Sequence, residues 1–240
     1  MIDPYKTLAL LRGKRQILEG AVDALLALAD GMVRKIDEAT RSLSLTEAER
    51  EVAIDAARTD ANERFDGKVA AVADARDRAI AAVKAVLDPI EPPAGEDAVA
   101  LEQVRRLLSQ DLQPVQIVAR ARELRDAATL RALRWELRYW TPIGDFTDHL
   151  QQSIEGLRDT INRKLVEIID GDESKAYVEA LKLAARADAA IHVERIAVKI
   201  VVSNNGATSD RIALAYALNM MEHAADPVAL PAPDAATQPV

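Results

Sequence analysis

The chain of 240 residues contains no cysteine. Disulfides, thiolate nucleophiles and cysteine-ligated zinc are therefore excluded. Glycine is scarce at nine residues, and aromatics supply only 3%. A β-rich or loop-rich protein uses more of both, so an all-α fold is expected. Long apolar runs are missing as well, and no stretch approaches the ~18 residues that read as a membrane span. Positive charge is in deficit, with 31 Lys and Arg against 39 Asp and Glu and a formal net charge of −8. Such a chain is not drawn as a whole to nucleic acid or to an anionic membrane. Met1-Ile2-Asp3-Pro4 lacks a basic segment followed by an apolar one. The expected location is cytoplasmic rather than secreted.

What the chain does have is alanine, about one residue in five, and apolar residues at helical spacing. From Leu8 the series Leu8, Leu11, Arg15, Leu18, Val22, Leu25, Ala29, Met32, Ile36, Ala39 and Leu43 steps alternately by three and four, and only Arg15 is not apolar. A heptad seam of this kind predicts a helix over about 4–42, roughly 60 Å long. Pro4 suits its first turn, where a missing N–H costs nothing. Leu11, Leu18, Val22, Leu25, Met32 and Ile36 are the expected helix–helix interface. Leu10, Ile17, Ala21, Leu26, Leu28 and Val33 widen the stripe, so more than one helical neighbour is expected. Gly13 and Gly20 lie one heptad apart and each costs about 1 kcal/mol relative to alanine. They mark either a closely packed neighbour or an exposed face.

Ser44-Leu45-Thr46-Glu47 reads as a capping box, with Ser44 as the cap. The helix that follows, to about Leu87, carries small apolar residues at Ile54, Ala57, Ala61, Phe65, Val69, Val72, Ala75, Ile80, Val83 and Leu87. Their mixed spacing does not predict a strict supercoil. The short connection returns this helix antiparallel to the first. Three prolines and a glycine between Asp88 and Asp97 end the hairpin. The expected organisation is a coiled-coil-like αα-hairpin over 1–88, a proline-rich linker over 89–97, a bundle of shorter helices over 98–225 and a Pro/Ala-rich extended tail over 226–240.

Within the bundle, helices are expected near 97–110, 113–126 and 127–140. The segment Ala100–Ile143 holds eight arginines against five acids and no lysine. Arg105, Arg106, Arg120, Arg122, Arg131 and Arg134 are the candidate basic patch, with Arg125 and Arg138 beside them, and nucleic acid is the partner such a patch suggests. The competing expectation is structural. Trp135, Tyr139 and Trp140 would anchor a core, and the arginines would pair with Glu123, Asp126 and Glu136 on the same helices. Farther on, a helix from near Asp145 carries Leu150, Ile154, Leu157, Ile161, Leu165 and Ile168 and ends at Asp170-Gly171. The next carries Tyr177, Leu181, Ala184, Ala187, Ile191, Val198 and Val202. A last helix spans about Thr208–Ala224.

Catalytic patterns are missing. His149, His192 and His223 are dispersed, and none follows a glutamate by three residues, as di-iron bundles require. No H-E-x-x-H, G-x-S-x-G, P-loop or dinucleotide fingerprint occurs. Asp145, Asp148 and His149 share one turn, but acids at a helix N-terminus already have a reason in the macrodipole. His192, between Ile191 and Val193, is expected to be partly buried. No cofactor, no metal and no enzymatic activity are expected.

In its acidic, alanine-rich, cysteine-free composition and its long helices, the whole chain resembles helical scaffolding or structural proteins of bacteriophage particles. No motif carries the likeness. It implies a non-catalytic assembly protein whose partner is itself or another protein of a larger assembly, with no membrane contact. The alternatives are a nucleic-acid-binding or regulatory protein using segment 105–138, and an adaptor that holds another helix in a groove.

Overall fold

The computed structural model describes residues 3–140, 147–203 and 208–223. All its regular structure there is helical, as the composition requires. The helices are α1 (Pro4–Arg41), α2 (Glu47–Leu87), α3 (Glu96–Ser109), α4 (Pro114–Glu123), α5 (Ala127–Glu136), α6 (Thr147–Ile168), α7 (Asp172–Ser203) and α8 (Thr208–Glu222), with a 3₁₀ turn at Leu137–Tyr139. The proline-rich tail over 226–240 lies outside the described residues.

Local chemistry sets the helix ends. Asp3 Oδ1 accepts from Tyr5 N at 3.0 Å and caps α1, with Pro4 in the first turn. The cap of α2 is one register later than the sequence pattern predicts. Thr46, not Ser44, forms the box: Thr46 N donates to Glu49 Oε2 at 2.8 Å, and Glu49 N donates to Thr46 Oγ1 at 3.4 Å. Both Ser44/Glu47 and Thr46/Glu49 fit the motif, and only the second pair closes reciprocally. These bonds lower the Glu49 pKa. The helix expected over 113–126 stops at Glu123, because Arg125 turns left-handed (φ 53°) and Asp126 N reaches back to Ala121 O at 2.8 Å. Asp126 then caps α5, accepting from Thr129 N at 2.9 Å and Thr129 Oγ1 at 2.6 Å.

The chain forms two compact units. One takes in the chain up to Leu8 together with Val83–Leu181; the other takes in Ala9–Ala82 and the chain from Lys182 through α8. The proline-rich 89–97 lies inside the first unit, not between two domains.

In the second unit α1, α2 and the later part of α7 lie side by side. Lys35 of α1 meets Asp60 of α2 at 3.0 Å, Glu19 of α1 meets Arg186 of α7 at 3.2 Å, and Arg76 of α2 meets Glu194 of α7 at 3.1 Å. Ala29, Met32, Ala61, Ile200 and Val201 share one apolar cluster, with Leu214 of α8 against it. These contacts run α7 parallel to α1 and antiparallel to α2. The side chains divide by size. Leu11, Leu18, Val22, Leu25 and Met32 of α1 are buried, while the buried faces of α2 and α7 are largely alanine: Ala57, Ala61, Ala75, Ala79 and Ala82, then Ala187, Ala190 and Ala197. Leu43, expected to close the seam, is 97% exposed because α1 has already ended.

Two faces differ from the sequence reading. In α7 the buried positions Leu183, Ala187, Ala190, Val193, Ala197 and Val201 form the seam, and the larger Val202 is exposed. In α2 the buried positions include Ala79 and Ala82, which the expected series passed over for the half-buried Ile80, while the uneven spacing holds, with Ala61 and Val72 eleven residues apart. Alanine contributes little to a hydrophobicity pattern, so neither seam stands out in the sequence.

In the first unit α5 is the central helix. It packs on α3, α4 and α6, and Thr129, Leu130, Ala132, Leu133, Arg134 and Trp135 are all buried. Leu101, Val104, Ile117, Val118, Ile161 and Leu165 surround it. Gly171 (φ +90°) supplies the left-handed turn between α6 and α7.

Thr46→Ala is expected to lower Tm by about 2–4 °C, and Ser44→Ala to leave it almost unchanged. Differential scanning calorimetry checks both. Gly67, inside α2, has nothing within 4 Å of where a Cβ would lie. Gly67→Ala is therefore expected to raise stability by about 1 kcal/mol, read from the urea midpoint.

Candidate functional site

The expected interface residues Leu11, Leu18, Val22, Leu25 and Met32 are buried, and Ile36 is half-buried. They face helices of the same chain. The surface that α1 leaves open is a second stripe: Leu10, Gly13, Ile17, Gly20, Ala24, Ala27 and Gly31. Its members again step by three and four. Leu10 and Ile17 are 48% and 52% exposed, Gly20 and Ala27 are exposed, and the other three are half-buried. A Cβ at Gly13, Gly20 or Gly31 would meet nothing within 4 Å, so none of the described helices packs closely on the glycines. At its later end the stripe runs into a groove of about 450 Å³ between α1 and α2. Ala24, Ala27 and Gly31 line one side and Ala57 and Ala61 the other. Lys35, Arg64 and Lys68 also line it, and Lys35 and Arg64 are both bonded to Asp60. Those bonds hold the Asp60 pKa below the ordinary carboxylate value.

The arginines of the expected basic patch are distributed over different environments. Arg105 of α3 pairs with Glu136 at 2.9 Å and Glu102 at 3.2 Å. Arg122 of α4 lies 3.8 Å from Glu167 of α6. Arg106 and Arg120 are exposed. Arg131 grips both oxygens of Asp97, at 2.9 Å and 3.1 Å from Nε, and reaches Glu173 at 3.1 Å. Burial works against the Arg131 charge, but the carboxylates of Asp97 and Glu173 outweigh it and hold its pKa above the ordinary value. Arg134 is not a surface residue at all. It is 5% exposed, and burial lowers its pKa to about 10. Glu136 is paired, but across helices with Arg105 of α3 rather than within its own helix as expected, and Asp126 serves as a helix cap.

The expected aromatic anchor is reduced to one residue. Trp135 is buried, but Tyr139 and Trp140 are 59% and 40% exposed. Residues 135 and 139 would share a face of an α-helix. The 3₁₀ turn after Glu136 changes the angle per residue, and Leu137 enters the core instead. Tyr139 keeps an edge contact with Trp135, ring centroids 6.2 Å apart. Arg138 lies over the Trp135 ring, 4.2 Å from its centroid, and donates to Pro89 O at 2.6 Å.

Trp135, Arg131, Arg134 and Arg138 all border a cavity of about 340 Å³ in the first unit. Its other walls are Val86 and Leu87 at the end of α2, the proline-rich turn from Pro89 to Ala94, and Tyr177 of α7. Burial pushes the Tyr177 hydroxyl pKa up, so it stays protonated. Within this wall Arg134 is poorly matched. Its Nη2 is 3.6 Å from Asp88 Oδ1, the oxygen that Arg158 Nη2 approaches to 3.2 Å. The Nε atoms of Arg134 and Arg158 are buried with no hydrogen-bond partner among the described residues. Asp159 adds a carboxylate near Arg134, but burial raises its pKa and disfavours its charge.

The described residues contain no group of three or more His, Asp or Glu able to hold a metal ion. His192, expected to be partly buried, is exposed on α7, and His223 is exposed. The side chains of Asp145, Asp148 and His149 lie outside the described residues. Among the described residues no helix is long and apolar enough to cross a membrane. Compared with protein-family models, curated proteins and solved structures, the chain matches none.

The Arg131–Asp97 pair joins α5 to the start of α3. A double-mutant cycle with Arg131→Met and Asp97→Asn is expected to give a coupling of about 1–3 kcal/mol, read by urea denaturation.

Proposed function

We propose that the chain is a non-catalytic helical assembly protein that associates with a second copy of itself through the outer stripe of α1. One observation carries this reading: the stripe is self-complementary in size. Set two copies of α1 antiparallel, so that paired residue numbers add up to 37. Leu10 then meets Ala27, Gly13 meets Ala24, and Ile17 meets Gly20. The two-fold axis repeats the three layers. Every large side chain faces a small one, and the partner's Leu10 reaches the groove lined by Ala24, Ala27 and Gly31. Large-into-small layers of this kind allow close helix packing. A two-fold pairing also closes the assembly at a dimer. The two glycines, unfavourable within α1 itself, gain a reason in this arrangement.

Two features support the same reading. Arg105, Arg122 and Arg131 are engaged by carboxylates, which leaves little of the basic surface that nucleic-acid binding needs. Among the described residues, no helix covers Leu10 and Ile17. Use of such dimers in a larger particle is the setting that the bacteriophage-like composition suggests.

Light scattering coupled to size exclusion tests the proposal. The expected species is a dimer. Ile17→Asp removes the central layers, and Gly20→Leu blocks them with a side chain for which the chain itself has room. Both variants are expected to elute as monomers with unchanged helical circular dichroism. Leu25→Asp, by contrast, is expected to unfold the second unit, because that side chain is fully buried in it. A monomer at every concentration, or a dimer that Ile17→Asp leaves intact, overturns the proposal.

A further inference from the structure

We infer that the arginine-lined cavity of the first unit binds a small organic carboxylate with an apolar tail. The inference does not rest on the assembly reading, which concerns the other unit. Its first support is the charge around Arg134. Arg134 and Arg158 share one carboxylate oxygen, that of Asp88, at 3.6 Å and 3.2 Å. Arg138, in the 3₁₀ turn that follows α5, has a carbonyl and an indole ring as its neighbours. Of the other carboxylates in the wall, Asp97 and Glu173 are bonded to Arg131, and Glu91 is exposed. With Asp159 counted beside Arg134, Arg134, Arg138 and Arg158 still outnumber Asp88 and Asp159 at that end of the cavity. Two guanidinium groups that share one carboxylate oxygen are incompletely neutralised in a buried setting, and an added anion beside Arg134 offsets that.

The second support is the rest of the lining. Val86, Leu87, Pro92, Pro93 and Trp135 present apolar surface. They suit an alkyl or aryl group. A volume of about 340 Å³ accommodates a ligand of modest size. A helix end and a proline-rich turn form part of the cavity wall, and the fixed φ angles of the prolines keep that wall in place without a bound ligand.

The indole of Trp135 reports on this cavity. Trp140, the other tryptophan, is first replaced by phenylalanine, which leaves Trp135 as the sole emitter. The full chain carrying Trp140→Phe is titrated with hexanoate, acetate and inorganic phosphate, followed by tryptophan emission and by Tm. Saturable binding of hexanoate is expected, with acetate at least about tenfold weaker because it lacks the buried methylenes. Arg134→Met is expected to abolish the response. It replaces the buried charge with a side chain of similar length, so the fold is retained. Arg138→Gln, at a half-exposed position, weakens binding and serves if Arg134→Met does not fold. Asp88→Asn removes the competing carboxylate and is expected to tighten binding severalfold, an increase that a purely structural role for Arg134 would not produce. No saturable response to hexanoate overturns the inference. So does phosphate binding as tightly as hexanoate, or affinity indifferent to Arg134, Arg138 and Asp88.

Discussion

The second unit depends on burying the large side chains of one helix against the alanine faces of two others. Leu11, Leu18, Val22, Leu25 and Met32 stand on α1, and the opposing faces of α2 and α7 are mostly alanine. At about 25 cal/mol per Å² of apolar surface, the α1 side chains supply most of the driving force. The alanines lose no side-chain entropy and let the helices approach. The cost of this division is poor specification, since an alanine face looks nearly the same one turn further along. Charged pairs between the helices correct for that. Glu19 with Arg186, Lys35 with Asp60 and Arg76 with Glu194 each join a different pair of helices, and a slip of one turn would separate all three. Ion pairs of this sort contribute little net stability but can select a register.

The first unit is built the opposite way, around a short helix buried on nearly every side. A helix of ten residues has little stability alone, so α5 is held by its surroundings. Asp126 caps its start, α3, α4 and α6 enclose it, and Arg131 ties it to Asp97 and Glu173. Enclosure also explains the condition of Arg134. A helix buried all round has no solvated face for every polar residue, so one of its arginines points into the interior, where Asp88 must serve two guanidinium groups. The cavity beside it follows from the same construction, because the proline-rich turn that closes over α5 cannot pack as a helix would.

The two candidate sites differ accordingly in chemistry. The stripe on α1 offers shape with hardly any charge, which suits another helix. The cavity offers charge and apolar walls at one point, which suits a small molecule. The readings proposed for both sites concern binding and association.

The sequence by itself determined the helical class, the long first and second helices, the positions of the major breaks and the buried seam of α1. Each of these is written in residues whose size or backbone chemistry acts locally: leucines at heptad spacing, prolines that cannot continue a helix, Gly171 at a left-handed turn. It did not determine which of two overlapping caps would close, Ser44 or Thr46, because both satisfy the same spacing and only the path of the chain chooses. Nor did it show that α7 buries Ala187 and Ala190 while exposing Val202, since an alanine face has almost no pattern to read. The arginines misled for a related reason. In sequence Arg105, Arg120 and Arg134 look alike, and only packing decides that one is paired, one exposed and one buried. Tertiary structure likewise separated Trp135 from Tyr139 and Trp140 through a single 3₁₀ turn, and it brought Asp88 and Arg158, 70 residues apart, to the same guanidinium. Contacts of that kind depend on distances through space, and spacing along a helix carries no record of them.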